Sequence, residues 1–316
     1  MFMRFGLVLF FISYFSVFQL FAQSMGTNDL LAAEDSLKKM VGRIVEEENF
    51  ERKLDLNILF KDYFKQVLSR SESFGYPFDS LKNIGKLKSN DEKVRIFTWN
   101  IPQLRGEHKY FGFIQYMAKD SVLLFELTDG RDSMVDAQNE INDPDKWHGA
   151  LYYHVKQVEN NGKVYYTLLG ADFNNLFSVK KLIDVLWFSE TGEPKFGAPI
   201  FNIRNHIISR VIFEYSARAT MVLNYSNEVG MIVFDHLSPT RPDLAGNYQF
   251  YGPDFTHDGF RFEDGYWFYY ANVDVRNSQP ETIATPVTPP EENPEPGFLY
   301  RSNLEVREKL GKKEVE

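Results

Sequence analysis

From Val94 onward the chain is a succession of short runs rich in aromatic and β-branched residues, each closed by turn chemistry: VRIFTWN, KYFGFIQYM, SVLLFEL, KVYYTLLG, KLIDVLWF, VIFEYS, GMIVFDH and YWFYYANV among them. Asn160-Asn161-Gly162, Glu190-Thr191-Gly192, Ser226-Asn227-Glu228 and Glu263-Asp264-Gly265 lie between such runs. Asn-Gly and Asp-Gly tolerate the positive φ angles of a tight hairpin, so neighbouring runs are expected to pair antiparallel. The fold class that follows is mainly β, an antiparallel meander of about a dozen strands. Turns spaced by about one third of a hundred residues, and blocks such as RVIFEYS, TMVLNYS, GMIVFDH, suit a propeller-like meander; a sandwich or barrel stays open. An outer-membrane barrel would need strands of about ten residues with one continuous apolar face. Most runs here are shorter and many are apolar on both faces, so that barrel is not the expectation.

Before the strands, residues 28 to about 70 carry helical periodicity. Leu30, Leu37, Met40, Val41, Ile44 and Val45 recur at three- and four-residue steps, as do Leu59, Phe60, Tyr63, Phe64, Val67 and Leu68. Two amphipathic helices in a hairpin are expected, their stripes packed together or held for a partner. After Asn277 comes SQPETIATPVTPPEENPEPG, with six prolines in twenty residues, an extended linker by composition. The expected division is a signal peptide at 1–22, a helical hairpin region at 23–90, an antiparallel β domain at 91–277, a Pro-rich linker at 278–297 and a charged tail at 298–316.

The signal peptide is read from MFMRFGLVLFFISYFSVFQLFAQS: one Arg, an apolar core to about Phe21, then the small Ala22 at the cut. Periplasmic or secreted placement follows. Cysteine is absent, which excludes disulfides, thiolate metal ligands and a thiol nucleophile. Removing residues 1–22 takes away Arg4 alone, leaving 34 Lys and Arg against 44 Asp and Glu, a net charge of −10. That balance argues against nucleic acid as a partner and leaves an envelope protein or a glycan. No second apolar run is long enough to span a bilayer.

The strings VLLFELTDG, YYTLLGAD, GAPIF, VIFEYSARATM, GMIVFDHL and YQFYGPDFTHDGFRF, within roughly residues 93–277, resemble those of exported Bacteroidota proteins without a known activity. The resemblance implies a periplasmic or cell-surface setting and carries no functional residue.

Phosphate-loop, dinucleotide, H-E-x-x-H and G-x-S-x-G patterns are absent. His148 and His154 share strand parity, but six residues of strand place them about 20 Å apart, too far to share a metal. Asp235-His236 and His257-Asp258 are sequence neighbours that face opposite ways in a regular strand. Each histidine is expected to be hydrogen-bonded near the surface. Asp254, His257 and Asp258, with Asp264 and Asp172, are the candidate ligands for a hard cation such as calcium. Glu263-Asp264-Gly265 is expected to be a turn, while His257-Asp258-Gly259 is open. Glu214 and Arg218 in VIFEYSARATM predict a buried ion pair or an acid–base group with its partner. Glu214, Asp254 and Asp258 are the candidate catalytic carboxylates of a glycan or cell-wall hydrolase. Trp99, Trp147, Trp187 and Trp267 are candidates for a sugar-stacking platform, with most expected in the core; Trp99, Trp147 and Arg218 are the binding candidates. The leading functional expectation is a non-catalytic binding or scaffolding role in the envelope.

Overall fold

The computed structural model describes residues 28–119 and 121–274. The signal peptide, linker and tail expectations lie outside them. The chain divides into two compact units, one up to Asn83 with Lys119–Leu124, the other holding Ile84–Ala118 and everything from Phe125 onward.

In the first unit, helix α1 (residues 28–46) and helix α2 (Phe50–Leu68) form the expected hairpin. Asn49 caps α2, its side chain accepting the Arg52 N–H at 3.0 Å. Phe60, Phe64, Val67 and Leu68 are buried at helical spacing, and Leu30, Ala33, Leu37 and Ile44 make the matching stripe on α1. Val45 and Leu59, expected in those stripes, are exposed, because the stripe on each helix is narrower than the apolar pattern. Buried Glu34 on α1 accepts the Tyr76 hydroxyl and the Ser80 N–H, both at 2.6 Å. This fastens the segment after α2 back onto α1.

The strands, numbered along the chain, form three sheets that lie in the second unit except for the start of the fourth strand, up to Leu124, which falls in the first. The first is β1-β2-β3-β4, from β1 (Gly85–Lys88), β2 (Val94–Pro102), β3 (His108–Ala118) and β4 (Ser121–Thr128). The second runs β11-β7-β6-β5, from β5 (Leu151–Asn160), β6 (Lys163–Asp172), β7 (Ser178–Phe188) and β11 (Val211–Ser216), with β8 (Pro194–Phe196) also on β7. The third runs β10-β9-β15-β14-β13-β12, from β9 (Phe201–Ile203), β10 (His206–Ile208), β12 (Leu223–Ser226), β13 (Met231–Pro239), β14 (Tyr251–Glu263) and β15 (Tyr266–Tyr270). Its β15–β9 pair is parallel, as is the isolated Asp129–Trp147 bridge, whereas the other described strand pairs with a given register are antiparallel. β1 begins inside the span expected to be helical, so the β region starts a few residues early.

The second sheet is the middle layer. Leu168, Leu182, Leu186 and Ile212 on one face join Val94, Ile96 and Ile114 of the first sheet in one core. Leu169, Ile183, Val185 and Phe213 on the other face join Phe234, Phe260 and Trp267 of the third sheet in a second core. Strands buried on both faces read as continuous apolar runs, and this is why KVYYTLLG and KLIDVLWF do not alternate.

The turns behave as expected where the turn residues demand positive φ. Asn161-Gly162 (φ 52° and 74°) joins β5 to β6, and Asp264-Gly265 (φ 47° and 84°) joins β14 to β15. The blade-like blocks do not persist. β11 leaves its sequence neighbours to pair with β7, and the runs YQFYG and FRF belong to one stretch ending in the thirteen-residue β14. His257-Asp258-Gly259 is therefore strand, where the sequence left a turn open.

Candidate functional site

A polar cleft of 320 Å³ opens in the second unit where three connections meet: the β2–β3 turn, the long β4–β5 connection and the loop after β6. Its organising side chain is Arg131, in the TDGRDS stretch after β4. Arg131 Nε donates to Asp129 Oδ1 at 3.0 Å, Nη1 to Asp172 Oδ1 at 2.5 Å and Nη2 to the His108 carbonyl at 2.5 Å. The guanidinium centre lies 4.5 Å over the Tyr110 ring. Asp129 is fixed in turn by the Tyr110 N–H at 3.1 Å. A Cβ at Gly149 would stand 2.6 Å from the Asp129 carboxylate, so only glycine lets the chain after His148 pass so close.

Asp172 closes β6, opposite Lys180 of β7 in the ladder. Oδ1 accepts from Arg131 and from the Asn174 N–H at 2.8 Å, but Oδ2 is buried without a hydrogen-bond partner among the described residues. His148, also buried and lining the cleft, leaves Nδ1 unpartnered in the same way. Native proteins pair nearly all such atoms; these two are among eight in the described residues and belong to side chains that line the same cleft. Burial alone would raise the Asp172 pKa, yet Arg131, His148, Lys180 and the Asn174 N–H together hold it below the ordinary value. Asp172 is thus a fixed carboxylate. His148 is pushed down to about 3, first by burial and then by Arg210, so its imidazole is neutral. His108, also on the cleft wall, is lowered by burial. Its ring lies 4.8 Å from that of Phe173, which is exposed beside the cleft and whose N–H bonds the Tyr110 hydroxyl at 2.7 Å.

The candidates from sequence fall in several places. Glu214 sits on β11 and accepts the Ser178 hydroxyl at 2.5 Å and the Asn174 amide at 3.2 Å, with Lys180 Nζ at 3.8 Å. The expected partner Arg218 is exposed, because β11 ends at Ser216 and Arg218 belongs to the following turn; the nearby cation is the cross-strand Lys180. Trp99 and Trp147 are buried, Trp147 donating to the Tyr152 hydroxyl at 2.9 Å. Trp267 is buried as well and Trp187 is half-buried, so the four indoles pack the fold and form no exposed platform.

Asp254, His257 and Asp258 are divided by the β13–β14 ladder. Between the pairs Asp235↔His257 and Leu237↔Pro253 one residue of β13 faces three of β14, a bulge. Asp254 shapes it, Oδ1 accepting the Thr256 N–H and hydroxyl and Oδ2 the Ser238 hydroxyl. His257 reaches Asp235, Nε2 to Oδ1 at 3.4 Å. Asp258 is buried, pairs with His236 Nδ1 at 2.6 Å and accepts the Tyr269 hydroxyl at 2.7 Å. The two Asp-His neighbours of the sequence thus pair crosswise between strands. Asp172 belongs to the Arg131 cleft and Asp264 to a turn. Among the described residues no group of three or more His, Asp or Glu side chains is arranged to hold a metal ion.

The sequence singled out Asp172 and His148, though in other company: Asp172 in a cation set, His148 as a surface imidazole. It gave no sign of Arg131 or Asp129, whose partners lie up to 41 residues away in the chain. The Asp-Gly-Arg string after a strand reads as another turn, and only the tertiary fold makes it a hub. No family model, curated protein or solved structure matches this chain.

Proposed function

We propose that this is an exported, non-catalytic binding protein of the cell envelope, whose β unit takes a small polar ligand in the cleft above Asp172 and His148. The observation that carries the binding part is that Asp172 and His148, two buried side chains each with a polar atom unpartnered among the described residues, are both lining residues of one cleft. A ligand that supplies their hydrogen bonds removes a desolvation penalty of about 1–3 kcal/mol for each group. Fixed protonation favours binding over turnover: Asp172 is held ionised and His148 neutral, whereas an acid–base pair needs a pKa near the working pH. The hydrolase carboxylates foreseen in the sequence each have their own local partners, Asp254 in a bulge and Asp258 beneath His236. Export and envelope placement rest on the opening twenty-two residues and on the resemblance of the strand runs.

A ligand-observed NMR screen of the full mature chain against a library of small polar compounds tests the reading, repeated with Asp172→Asn and His148→Gln. Hits whose signal is lost in the variants are the expected result. A library without hits, or hits indifferent to both substitutions, overturns it.

A further inference from the structure

We propose that the chain docks on an anionic lipid surface through apolar loop tips of its second unit: Leu104 in the β2–β3 turn, and Phe173, Leu176 and Phe177 in the loop between β6 and β7. The proposal goes beyond the reading above and does not depend on what the cleft binds.

Four exposed apolar side chains adjoin here. Leu104 is 83% exposed, Phe177 66%, Leu176 62% and Phe173 41%. Scattered single ones are ordinary, but these stand on two loops that touch: a Cβ at Gly106 would lie 2.8 Å from Leu176 Cδ2. Fixed backbone holds the tips out. The Gln103 N–H bonds the Glu107 carbonyl at 2.7 Å and closes the first turn, where Arg105 and Gly106 take φ 66° and 73°. In the second loop the Asn175 side chain accepts the Phe177 N–H at 2.8 Å and the Ser178 N–H at 3.1 Å. The Phe177 carbonyl accepts the Ala217 N–H at 2.9 Å, which ties in the turn after β11. Tips preset in this way lose little loop entropy on docking. Apolar groups on protruding turns suit entry between lipid headgroups, where binding strength follows the apolar area buried and the attraction to anionic lipid.

Charge identifies the surface. The full chain carries a net charge of −9, so a negative surface repels it as a whole. Screening over about 8 Å at physiological ionic strength leaves the local charge to decide. Arg105 follows Leu104, Lys109 lies at the start of β3, and Arg218 follows the Ala217 that is bonded to Phe177. All three are exposed, and the acid on these segments is Glu107. The tips are therefore apolar and locally net positive, and each basic residue near an anionic layer strengthens binding about fivefold. A second copy is the poorer occupant, because apposing two such patches sets the same cations against one another.

The test is cosedimentation of the full mature chain with vesicles of phosphatidylcholine alone and of phosphatidylcholine with an equal share of phosphatidylglycerol. The mixed vesicles should bind at least about tenfold tighter. Leu176→Ser combined with Phe177→Ser should weaken that binding by about tenfold or more. Arg105→Gln and Arg218→Gln should each weaken it about fivefold. All four side chains are exposed, so tryptophan fluorescence should match the parent and certify folding. In Phe177→Trp, lipid brominated on its acyl chains should quench emission beyond the parent level, the signature of a tip below the headgroups. A parent chain that ignores the mixed vesicles, or binds both kinds equally, overturns the proposal. So does binding indifferent to the Leu176 and Phe177 substitutions. A lipid-free dimer in sedimentation velocity that those substitutions dissolve assigns the patch to a second copy and overturns it too.

Discussion

His148 concentrates the argument at the level of single residues. A buried imidazole whose ring nitrogen lacks a partner is costly to charge, and three cations add to that cost, which is why its pKa falls to about 3. In the unfolded chain the same group titrates near 6.5. Above that pH both states are neutral and stability is independent of this residue. As pH falls from about 6.5 toward 3 the unfolded chain takes up a proton that the native state refuses, so stability is lost throughout that window. Each unit of difference corresponds to about 1.4 kcal/mol, so the loss reaches several kcal/mol at the acid end. His148→Gln removes the titration. Urea melts between pH 7 and pH 4 should show a markedly shallower decline for the variant; equal slopes would mean that His148 is protonated in the folded chain. His236 has the opposite sign, raised by its bond to Asp258, and contributes stability below its unfolded pKa that fades as pH rises through the folded one.

The β14 bulge shows at the level of the element why strand periodicity was only partly legible. Pro, Gly and Asp are turn formers, so the sequence leaves His257-Asp258-Gly259 open between turn and strand. The chain instead keeps pairing on both sides and extrudes Asp254, Phe255 and Thr256, with Asp254 accepting the Thr256 N–H to close the loop. Hairpins with Asn-Gly and Asp-Gly were legible because their chemistry is local, whereas a bulge is defined by its partner strand. At its apex Phe255 adopts φ 71° with its side chain 95% exposed. A left-handed conformation costs an L-residue about 1–2 kcal/mol, and a ring in water returns little of it. Phe255→Asn, a residue that tolerates this region, should therefore stabilise the chain by about 1 kcal/mol in urea melts. A loss of stability of that size would reveal a packing role for the exposed ring. The same limit hid the cleft, since Asp129, Arg131, His148 and Asp172 come from segments that only the folded sheets bring together.

The three-layer unit governs the behaviour of the whole molecule. A middle sheet shared by two cores makes neither core separable, because Leu168 and Leu169 are adjacent residues of one strand that serve opposite layers. The continuous apolar runs made this arrangement legible only in hindsight: they say that a strand is covered on both sides and are silent on which strands cover it. Loss of either core should therefore carry the other with it in a single transition. All four tryptophans lie in this unit, with Trp147 in the core against the first sheet and Trp267 in the core against the third, so indole fluorescence reports both layers and nothing of the helical unit. Leu168→Ala and Leu169→Ala should each cost about 2–5 kcal/mol. For a unit of this size that lowers the midpoint by on the order of 10 °C. The two variants should shift one common fluorescence transition by similar amounts and leave it a single sigmoid. Two resolved transitions, with each variant displacing only its own, would instead mean that β6 and its sheet can release one neighbour while keeping the other.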